Sequence, residues 1–367
     1  MKSTKIVTVI GARPQFIKAA AVSRAIARYN ESSTDRIEEV IIHTGQHYDN
    51  NMSKVFFDEL MIPKPKINLE VGSGTHGGQT GQMLEKIESV LMDENPDMVL
   101  IYGDTNSTLA GALAAVKLHI PVAHIEAGLR SFNRRMPEEI NRIVADCVSK
   151  LLFCPTDTAV KNLSNEGITD GVYQVGDVMY DSVLFNFDLA QKSSNIIEKL
   201  RLTPNQYYLA TIHRAENTDD PQRLRNIISA FSQIKAPIIL PLHPRTKKTL
   251  GDGLGKLARN VLIVEPVAYL DMLMLEKNAS IILTDSGGVQ KEAFWAGVPC
   301  ITLRDETEWV ELVSAGVNRI VGTDCNLILK AVEDVKLTAA KLKTANRNLY
   351  GDGRSAEKIV KIIVNEN

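Results

Sequence analysis

The sequence lacks the features of a secreted or membrane-embedded protein. Its four cysteines are scattered and form no CxxC pair, so we interpret them as reduced, mostly buried thiols. No run approaches the roughly 18 consecutive apolar residues that a membrane-spanning helix needs, and residues 1–15 lack the long apolar core of a signal peptide. We therefore expect a cytoplasmic protein with no membrane partner.

The chain also lacks an excess of charge of either sign. Its formal net charge is −2 over 367 residues, which gives no electrostatic reason to expect a nucleic-acid partner. Hydrophobic residues make up 44% and charged residues 23% of the chain, a balance typical of globular proteins. The length exceeds that of a usual single α/β domain and suits two.

The segments that are present alternate between short apolar runs and helical patterns along the whole chain. This rhythm is typical of α/β domains with parallel sheets. We predict two Rossmann-like domains, 1–174 and 175–351, whose polar strand ends face each other across a cleft that a charged ligand would occupy. The first strand is followed by GARPQ and not by GxGxxG, so the dinucleotide-binding fingerprint is absent.

The clearest candidate for a ligand site is one strand–turn–helix junction in the second half. Ile281 to Thr284 indicates a buried parallel strand, and Val289 to Ala296 has helical spacing. The glycine-containing turn between them lets an anion approach backbone N–H groups at the positive end of the helix dipole. Glu292, one turn into the helix, has the reach to bind sugar hydroxyls. The alternative is an ordinary βα turn in which Asp285 or Ser286 only caps the helix.

Basic side chains follow other strands of the second half. They are His213, His243, Arg245 and Arg304. Cations and hydrogen-bond donors around a helix N-terminus suit a diphosphate. A single histidine at such a position is more often structural, but two histidines and two arginines at strand ends of one predicted sheet favour a ligand site.

Acidic side chains follow the strands of the first half. Asp104 comes after the apolar run Met98 to Tyr102, Glu126 follows the next run, Pro121 to Ile125, and Glu138 lies in the first turn of the helix after that. Three acids near one sheet edge can shift one another's pKa and divide acid and base roles. The alternative for Asp104 and Glu138 is helix capping.

Basic residues accompany these acids in the first half. Arg13 and Lys18 follow the first strand, and Arg142 lies one turn beyond Glu138. Ligands bind at the carboxyl ends of strands in open α/β sheets, so these cations are candidates for substrate contacts. The alternative is that Arg13 and Lys18 are solvated surface charges.

Eight motifs occur in order over nearly the whole length: GARPQFIK (11–18), TGQH (44–47), YGDTNST (102–108), HIEAGLRSF (124–132), MPEEINR (136–142), HRAEN (213–217), LPLHPRT (240–246) and TDSGGVQKEA (284–293). With these motifs the chain resembles the non-hydrolysing UDP-N-acetylglucosamine 2-epimerases. The resemblance implies a fold of two Rossmann-like domains of the GT-B glycosyltransferase type, with a C-terminal helix (352–367) that packs back on the first domain. It also implies a homodimer that needs neither a redox cofactor nor a metal.

The resemblance implies a reaction at C2 of a UDP-sugar. UDP leaves by C1–O cleavage as the C2–H bond breaks, which gives a 2-acetamidoglucal. UDP stays bound and adds again while a proton reaches C2 from the other face. Carboxylates would stabilise an oxocarbenium-like centre, and positive charge would stabilise the departing diphosphate.

The resemblance also assigns roles to the matching residues. The catalytic group comprises Asp104, Glu126 and Glu138, with His213 beside the diphosphate. The binding residues are Arg13 and Lys18 near the sugar and phosphates, Ser286, Gly287 and Gly288 at the phosphate, Glu292 at the ribose hydroxyls, and Val267 and Met272 at the uracil. Arg142, His243, Arg245 and Arg304 complete the predicted substrate-binding set.

Two departures from the common bacterial pattern bear on the substrate. Trp309 replaces the arginine of a Glu-Arg-Pro-Glu motif, and Tyr48-Asp49 replaces the Arg-Glu of a motif tied to activation by the UDP-sugar. Both departures resemble the branch that acts on UDP-2,3-diacetamido-2,3-dideoxyglucuronate. We hypothesise that Arg134 or Arg135 meets the C6 carboxylate of such a uronate; the alternative is that both are surface charges.

The predicted function is therefore a UDP-2-acetamido-sugar 2-epimerase for surface-polysaccharide synthesis. Three rivals stay open: a glycosyltransferase of the same fold, a hydrolysing epimerase, and a non-catalytic nucleotide-sugar sensor. A transferase would release UDP only with an acceptor, a hydrolysing enzyme would release it without one, and a sensor would bind without exchange at C2.

Overall fold

A computed structural model describes residues 3–45, 64–242, 258–345 and 348–366, with the side chains of 336 and 337 excepted. The chain divides into two compact units. Unit 1 comprises Met1–Ser182 and Asn348–Asn367, and unit 2 comprises Val183–Arg347. The domain bounds at 174/175 and 351/352, and the roles attached to them, stay predictions.

The secondary structure alternates between strands and helices in both units. Up to the unit boundary the elements are β1 (Ser3–Ile10), α1 (Arg13–Ser32), β2 (Arg36–His43), β3 (Ile67–Asn68), α2 (His76–Glu94), β4 (Met98–Tyr102), α3 (Asn106–Lys117), β5 (Val122–Ile125), α4 (Pro137–Val148), β6 (Leu151–Cys154), α5 (Asp157–Asn165), β7 (Val172–Gln174) and α6 (Val178–Ser193), within which the boundary falls. Beyond it follow α7 (Ile196–Lys199), β8 (Tyr208–Thr211), α8 (Ala215–Thr218), α9 (Pro221–Gln233), β9 (Ile238–Pro241), β10 (Val261–Val264), α10 (Tyr269–Asn278), β11 (Ile281–Thr284), α11 (Gly287–Ala296), β12 (Cys300–Thr302), α12 (Val310–Ser314), β13 (Asn318–Ile320), α13 (Cys325–Glu333), α14 (Val335–Thr344) and α15 (Ser355–Glu366).

The described strands of unit 1 form a parallel sheet in the order β3-β2-β1-β4-β5-β6-β7. Every residue of β4, β5 and β6 is buried, as expected for strands covered by helices on both faces. Small side chains on α3, among them Gly111, let this helix approach the sheet: a Cβ on Gly111 would lie 3.1 Å from Ile101. The carboxyl ends of the central strands are thereby held in a rigid frame.

The last helix belongs to unit 1. Helix α15 packs against α1, and its first backbone N–H groups, from Ser355 and Ala356, donate to the carboxylate of Asp181 at 3.1 and 2.8 Å. Burial raises the pKa of Asp181 to about 6, against the lowering effect of these hydrogen bonds. The carboxylate therefore caps α15 and fastens the end of the chain to α6.

The described strands of unit 2 also form a parallel sheet, in the order β10-β9-β8-β11-β12-β13. Its core includes Leu240, Leu283 and Phe231, which are at most 1% exposed. Strand β11 has the predicted bounds, but α11 begins at Gly287, two residues before the predicted start at Val289. The sequence pattern does not reveal this start, because the helix begins with two glycines and glycine has a low helix propensity. Among the helices described in either unit, none is both long and apolar enough to cross a bilayer.

Candidate active site

Unit 1 has its topological switch point between β1 and β4. The chain runs outward from these two neighbouring strands in opposite directions, and open α/β sheets bind ligands at the carboxyl ends of such strands. The turns at this position are Gly11–Ala12 after β1 and Gly103–Asp104 after β4. The predicted cations of the first motif and the first predicted acid therefore share the position at which this class of fold binds ligands.

Gln15 joins these two turns. Its side-chain oxygen accepts hydrogen bonds from Gly11 N at 2.8 Å and Ala12 N at 2.9 Å. Its amide nitrogen donates to the Tyr102 carbonyl at 2.8 Å. Gln15 is 1% exposed, so its hydrogen bonds connect the two turns inside the protein. Sequence reasoning named Arg13 and passed over Gln15, although a polar residue inside a buried helix face was the available signal.

Lys18 and Glu126 form a buried ion pair. Lys18 lies on α1 and Glu126 follows β5 with a φ of 73°, a left-handed conformation that is rare for residues other than glycine. The N–H groups of Glu126 and Ala127 both donate to the Phe153 carbonyl at 3.1 Å, which stabilises this turn. A Cβ on Gly103 would lie 3.3 Å from Glu126 Oε2 and 3.5 Å from Lys18 Nζ. The acid, the lysine and the turn that precedes Asp104 are therefore in direct proximity.

Asp104 is held by helix α4. Its carboxylate accepts from Arg142 Nη2 at 2.5 Å, and its carbonyl accepts from Asn141 Nδ2 at 2.9 Å. Thr105, and not Asp104, is the N-cap of α3, so the capping alternative for Asp104 is wrong. Arg142 is buried and also lies 3.3 Å from a carboxylate oxygen of Glu139. Asp104 thus has a fixed cationic partner, as Glu126 has.

The described structure does not bring Glu138 into this network. Glu138 is exposed in the first turn of α4, and the neighbouring Glu139 is buried instead. The Glu139 carboxylate accepts from the backbone N–H groups of Ser131 at 2.9 Å and Phe132 at 2.8 Å. Glu139 therefore orders the loop before α4, a role that the sequence reasoning missed because adjacent glutamates look alike in a first helical turn.

Unit 2 has its switch point between β8 and β11. Ser286 is the N-cap of α11 and its hydroxyl accepts from Val289 N at 3.5 Å, so the capping alternative holds for this serine. Asp285 has another role: its buried carboxylate accepts from His213 N and Arg214 N, each at 3.1 Å. Asp285 therefore orders the turn after β8 and brings His213 beside the start of α11, where Nδ1 lies 3.7 Å from the carboxylate.

A carboxylate lies against the first glycine of α11. A Cβ on Gly287 would come within 2.3 Å of Glu308 Oε1, so a larger residue here would require this carboxylate to move. Glu308 accepts from Arg304 Nη1 at 2.8 Å and lies 3.8 Å from Arg214; Arg304 also lies 3.6 Å from Glu216. Burial alone raises the pKa of Glu308, but the charges of Arg304 and Arg214 hold it below its ordinary value. The predicted phosphate turn, Gly287–Gly288, thus adjoins a carboxylate and two arginines.

Trp309, the departure from the common family pattern, packs against the same helix. Lys291 Nζ lies 3.7 Å from the centre of its ring and 5.6 Å from that of Trp295. Lys291 is 2% exposed, and an ammonium over an indole face is stabilised by the charge distribution of the ring. Sequence reasoning found the tryptophan but not its cationic partner, which is distant in sequence.

The remaining predicted ligand residues lie around α10 and α11. Glu292 is buried and accepts from the Tyr269 hydroxyl at 2.8 Å. Val267 and Met272 are half-buried against the core of unit 2. His243 and Arg245 lie outside the described residues.

The described cysteines form no disulfide. Among the described residues all four cysteines are free, with Cys154 and Cys300 buried, Cys325 half-buried and Cys147 exposed. The described part of the chain has no group of three or more His, Cys, Asp or Glu side chains arranged to hold a metal ion.

Comparison with known proteins identifies the family. The family model described as UDP-N-acetylglucosamine 2-epimerase matches residues 30–364. The chain belongs to the UDP-N-acetylglucosamine 2-epimerase family. A protein of Methanococcus maripaludis named UDP-N-acetylglucosamine 2-epimerase homolog is 54% identical over 366 residues, which cover 98% of this chain and 99% of that protein.

Two further relatives bear on substrate and fold. The UDP-2,3-diacetamido-2,3-dideoxy-D-glucuronate 2-epimerase of Pseudomonas aeruginosa is 52% identical over 365 residues, which cover 98% of this chain and 99% of the relative. The crystal structure of Methanocaldococcus jannaschii UDP-GlcNAc 2-epimerase in complex with UDP-GlcNAc and UDP is 47% identical, covers 100% of both chains and has a TM-score of 0.84. The predicted family and the predicted α/β fold of the GT-B type are thus confirmed.

Proposed function

We propose that this member of the family is a UDP-2-acetamido-sugar 2-epimerase that inverts C2 by elimination and re-addition of UDP. The observation that carries the proposal is a pair of acids, at and beside the switch point of unit 1, that each form an ion pair. Asp104 and Glu126 follow neighbouring strands. Asp104 forms an ion pair with Arg142, and Glu126 forms one with Lys18. Fixed carboxylates of this kind serve proton transfer and stabilise positive charge.

The acids of unit 1 would act on the sugar. One carboxylate removes the proton from C2 while the C1–O bond breaks and its electron pair leaves with UDP. The product is a 2-acetamidoglucal with UDP still bound. The reverse step forms the C1–O bond again, and an acid delivers a proton to the opposite face of C2. Glu138, which the resemblance also assigns to this group, is exposed in the first turn of α4 and would reach the sugar from there.

The turns of unit 2 would hold UDP. The N-terminus of α11 offers backbone N–H groups to a phosphate, and Arg304 and His213 lie at neighbouring strand ends. Glu292 would accept from the ribose hydroxyls, and Val267 and Met272 would flank the uracil. His243 and Arg245, which follow β9 in the sequence, complete this proposed set. Arg13, after β1, is a further candidate for a substrate contact.

For the sugar, we propose UDP-2,3-diacetamido-2,3-dideoxyglucuronate, with UDP-N-acetylglucosamine as the alternative. The 52% identical relative from Pseudomonas aeruginosa carries the first name, and the departure at Trp309 resembles the pattern that we expect for this branch. Arg134 and Arg135 are exposed in the loop before α4, so either guanidinium is accessible to a C6 carboxylate. UDP-N-acetylglucosamine has no such carboxylate.

The arginine hypothesis is tested with the variants R134A and R135A on both sugars. A guanidinium–carboxylate contact contributes about 1.5–3 kcal/mol, so the variant that loses it should fall roughly 10- to 100-fold in kcat/KM on the uronate alone. Full activity of both variants on the uronate would reject the contact, and equal losses on both sugars would point to a damaged loop.

The function itself is tested by product analysis with each UDP-sugar. We expect conversion to the manno-configured UDP-sugar with no net release of UDP. Release of UDP without an acceptor would support a hydrolysing epimerase, acceptor-dependent release a glycosyltransferase, and binding without conversion a nucleotide-sugar sensor. We also expect the protein to be a cytoplasmic homodimer that takes part in surface-polysaccharide synthesis. Light scattering tests whether it is a dimer.

A further inference from the structure

His124 lies under the turn that presents the acids of unit 1. It belongs to β5 and is 0% exposed. Its Nδ1 lies 2.7 Å from Asp146 Oδ1, and its Nε2 lies 2.7 Å from the Gly103 carbonyl oxygen. Both ring nitrogens therefore have a close oxygen partner inside the protein.

The two partners determine the proton count of the ring. A neutral imidazole has one donor nitrogen and one acceptor nitrogen. The Gly103 carbonyl can only accept, and an ionised Asp146 can only accept. Two hydrogen bonds of 2.7 Å to two acceptors thus require N–H groups on both nitrogens, which is the imidazolium form.

Asp146 is ionised because of its other partners. Its Oδ2 accepts from Arg130 Nη1 at 2.7 Å and from Gly128 N at 3.1 Å. A guanidinium N–H and a backbone N–H that both donate to one carboxylate oxygen favour the ionised form of this carboxyl group. Glu166 completes the series through two hydrogen bonds of 2.7 Å to Arg130. Because the charges alternate in sign along this series, each buried ion has an oppositely charged neighbour.

Other titratable groups near this network are thiols. Cys154 on β6 and Cys147 on α4 both interact with Asp146 and Arg130. Burial raises the pKa of the Cys154 thiol to about 12 and also raises that of Cys147. Both thiols are therefore neutral near pH 7 and add no charge opposite His124.

The position of His124 relates it to the proposed catalytic acids. Gly103, whose carbonyl it holds, has a φ of 62° and immediately precedes Asp104. The Gly103 N–H donates to the Ile125 carbonyl at 2.9 Å, so Gly103 is held by hydrogen bonds at both its N–H and its carbonyl. The Glu126 carboxylate lies against the same glycine. A shift at Gly103 would therefore move both acids.

We infer that His124 is a buried imidazolium and a positioning residue, whose two N–H groups tie the Gly103 turn to Asp146 and place a fixed positive charge beneath Asp104 and Glu126. Its effect on turnover rests on the proposed epimerase function. Its protonation does not, because it follows from contacts inside unit 1.

The first test is the ring 15N spectrum of ligand-free protein labelled with [15N]histidine. The spectrum is recorded about two pH units above the ordinary histidine pKa of about 6.5, and the exposed His119 serves as the reference. The spectrum of the H124Q variant assigns the His124 signals by their loss. We expect two protonated nitrogens for His124. One protonated and one bare nitrogen at that pH would overturn the inference.

The second test separates the two hydrogen bonds. The amide nitrogen of glutamine reaches the position of Nε2, and that of asparagine reaches the position of Nδ1. H124Q should retain the bond to Gly103 and keep kcat within about tenfold, whereas H124N should lose about 10²-fold in kcat with KM nearly unchanged. Equal losses in both folded variants would overturn the positioning role. If the wild-type protein converted no UDP-sugar, the epimerase proposal alone would fall, since the spectrum needs no turnover.

Discussion

The two units place opposite charges at equivalent positions of their sheets. At the switch point of unit 1 the functional groups are acids, and each is held by a cation: Glu126 by Lys18 and Asp104 by Arg142. Beside the switch point of unit 2, after β12, the functional group is a cation, Arg304, which is held by the carboxylate of Glu308. Each of these three charges therefore has a partner inside the protein.

The difference indicates that the two units have different roles in the proposed reaction. Carboxylates paired with cations suit a base and a stabiliser of positive charge. An arginine paired with a side-chain carboxylate can exchange that partner for a diphosphate, which carries more charge and offers more acceptors. Changes in unit 1 should thus act mainly on kcat, and changes in unit 2 mainly on UDP affinity.

The largest effect is expected for E126Q. The amide keeps the shape of the side chain but cannot take a proton, and positioned acid–base groups contribute about 10²- to 10⁴-fold. We expect kcat to fall by that factor while the calorimetric affinity for UDP changes little. The exposed Glu85 provides a matched control, E85Q. A loss of UDP affinity as large as the loss of kcat would break the division between the units.

R304M should show the opposite pattern. Hydrogen bonds to charged groups contribute about 1.5–3 kcal/mol, so we expect UDP affinity to fall by roughly 10- to 100-fold with kcat at saturation nearly unchanged. R259M, at an exposed position of unit 2, is the control. An R304M enzyme with normal UDP affinity and a low kcat would contradict the assignment of this arginine to binding.

G287A tests how tightly Glu308 is held at the start of α11. Its new methyl group would meet Glu308 Oε1 at 2.3 Å, whereas the nearest atom to a methyl on Gly288 lies at 3.9 Å. We expect G287A to lower the free energy of unfolding by about 1–3 kcal/mol, as overpacking does, and G288A to lower it less, as measured by urea denaturation. Equal stability of the two variants would show that the carboxylate moves aside at little cost.

The smallest effect concerns Lys291, whose ammonium group lies over the ring of Trp309. A desolvated cation–π pair is worth about 2 kcal/mol and an exposed one about 0.5–1 kcal/mol. A double-mutant cycle with K291M and W309L should return a coupling free energy in that range. A coupling indistinguishable from zero would leave Trp309 a packing residue only.

The sequence predicts the frame of both sites better than their contacts. It predicts Met98–Tyr102 and Ile281–Thr284 with the bounds that the structure has, because uninterrupted apolar runs are typical of strands buried on both faces. It also places Asp104 and Glu126 at neighbouring strand ends, because parallel strands present their carboxyl ends at one edge. The family and the fold are confirmed by the comparisons.

The contacts depend on pairs that are distant along the chain. His124 meets Asp146, and Lys291 meets Trp309, only because strands and helices bring them together. Local patterns also do not distinguish two adjacent glutamates: Glu138 and Glu139 lie in the same helical turn, and only the structure shows that the buried Glu139 is the partner of the loop before α4. Packing in three dimensions decides which of two similar residues makes a contact, and a linear sequence pattern carries no information on that packing.

The most direct test of the central claim is proton NMR of the enzyme in D2O with UDP-2,3-diacetamido-2,3-dideoxyglucuronate and, separately, UDP-N-acetylglucosamine. We predict deuterium at C2 of a new manno-configured UDP-sugar, with wild-type protein and not with E126Q. A folded wild-type protein that binds UDP but leaves the C2 proton of both sugars in place would contradict the account.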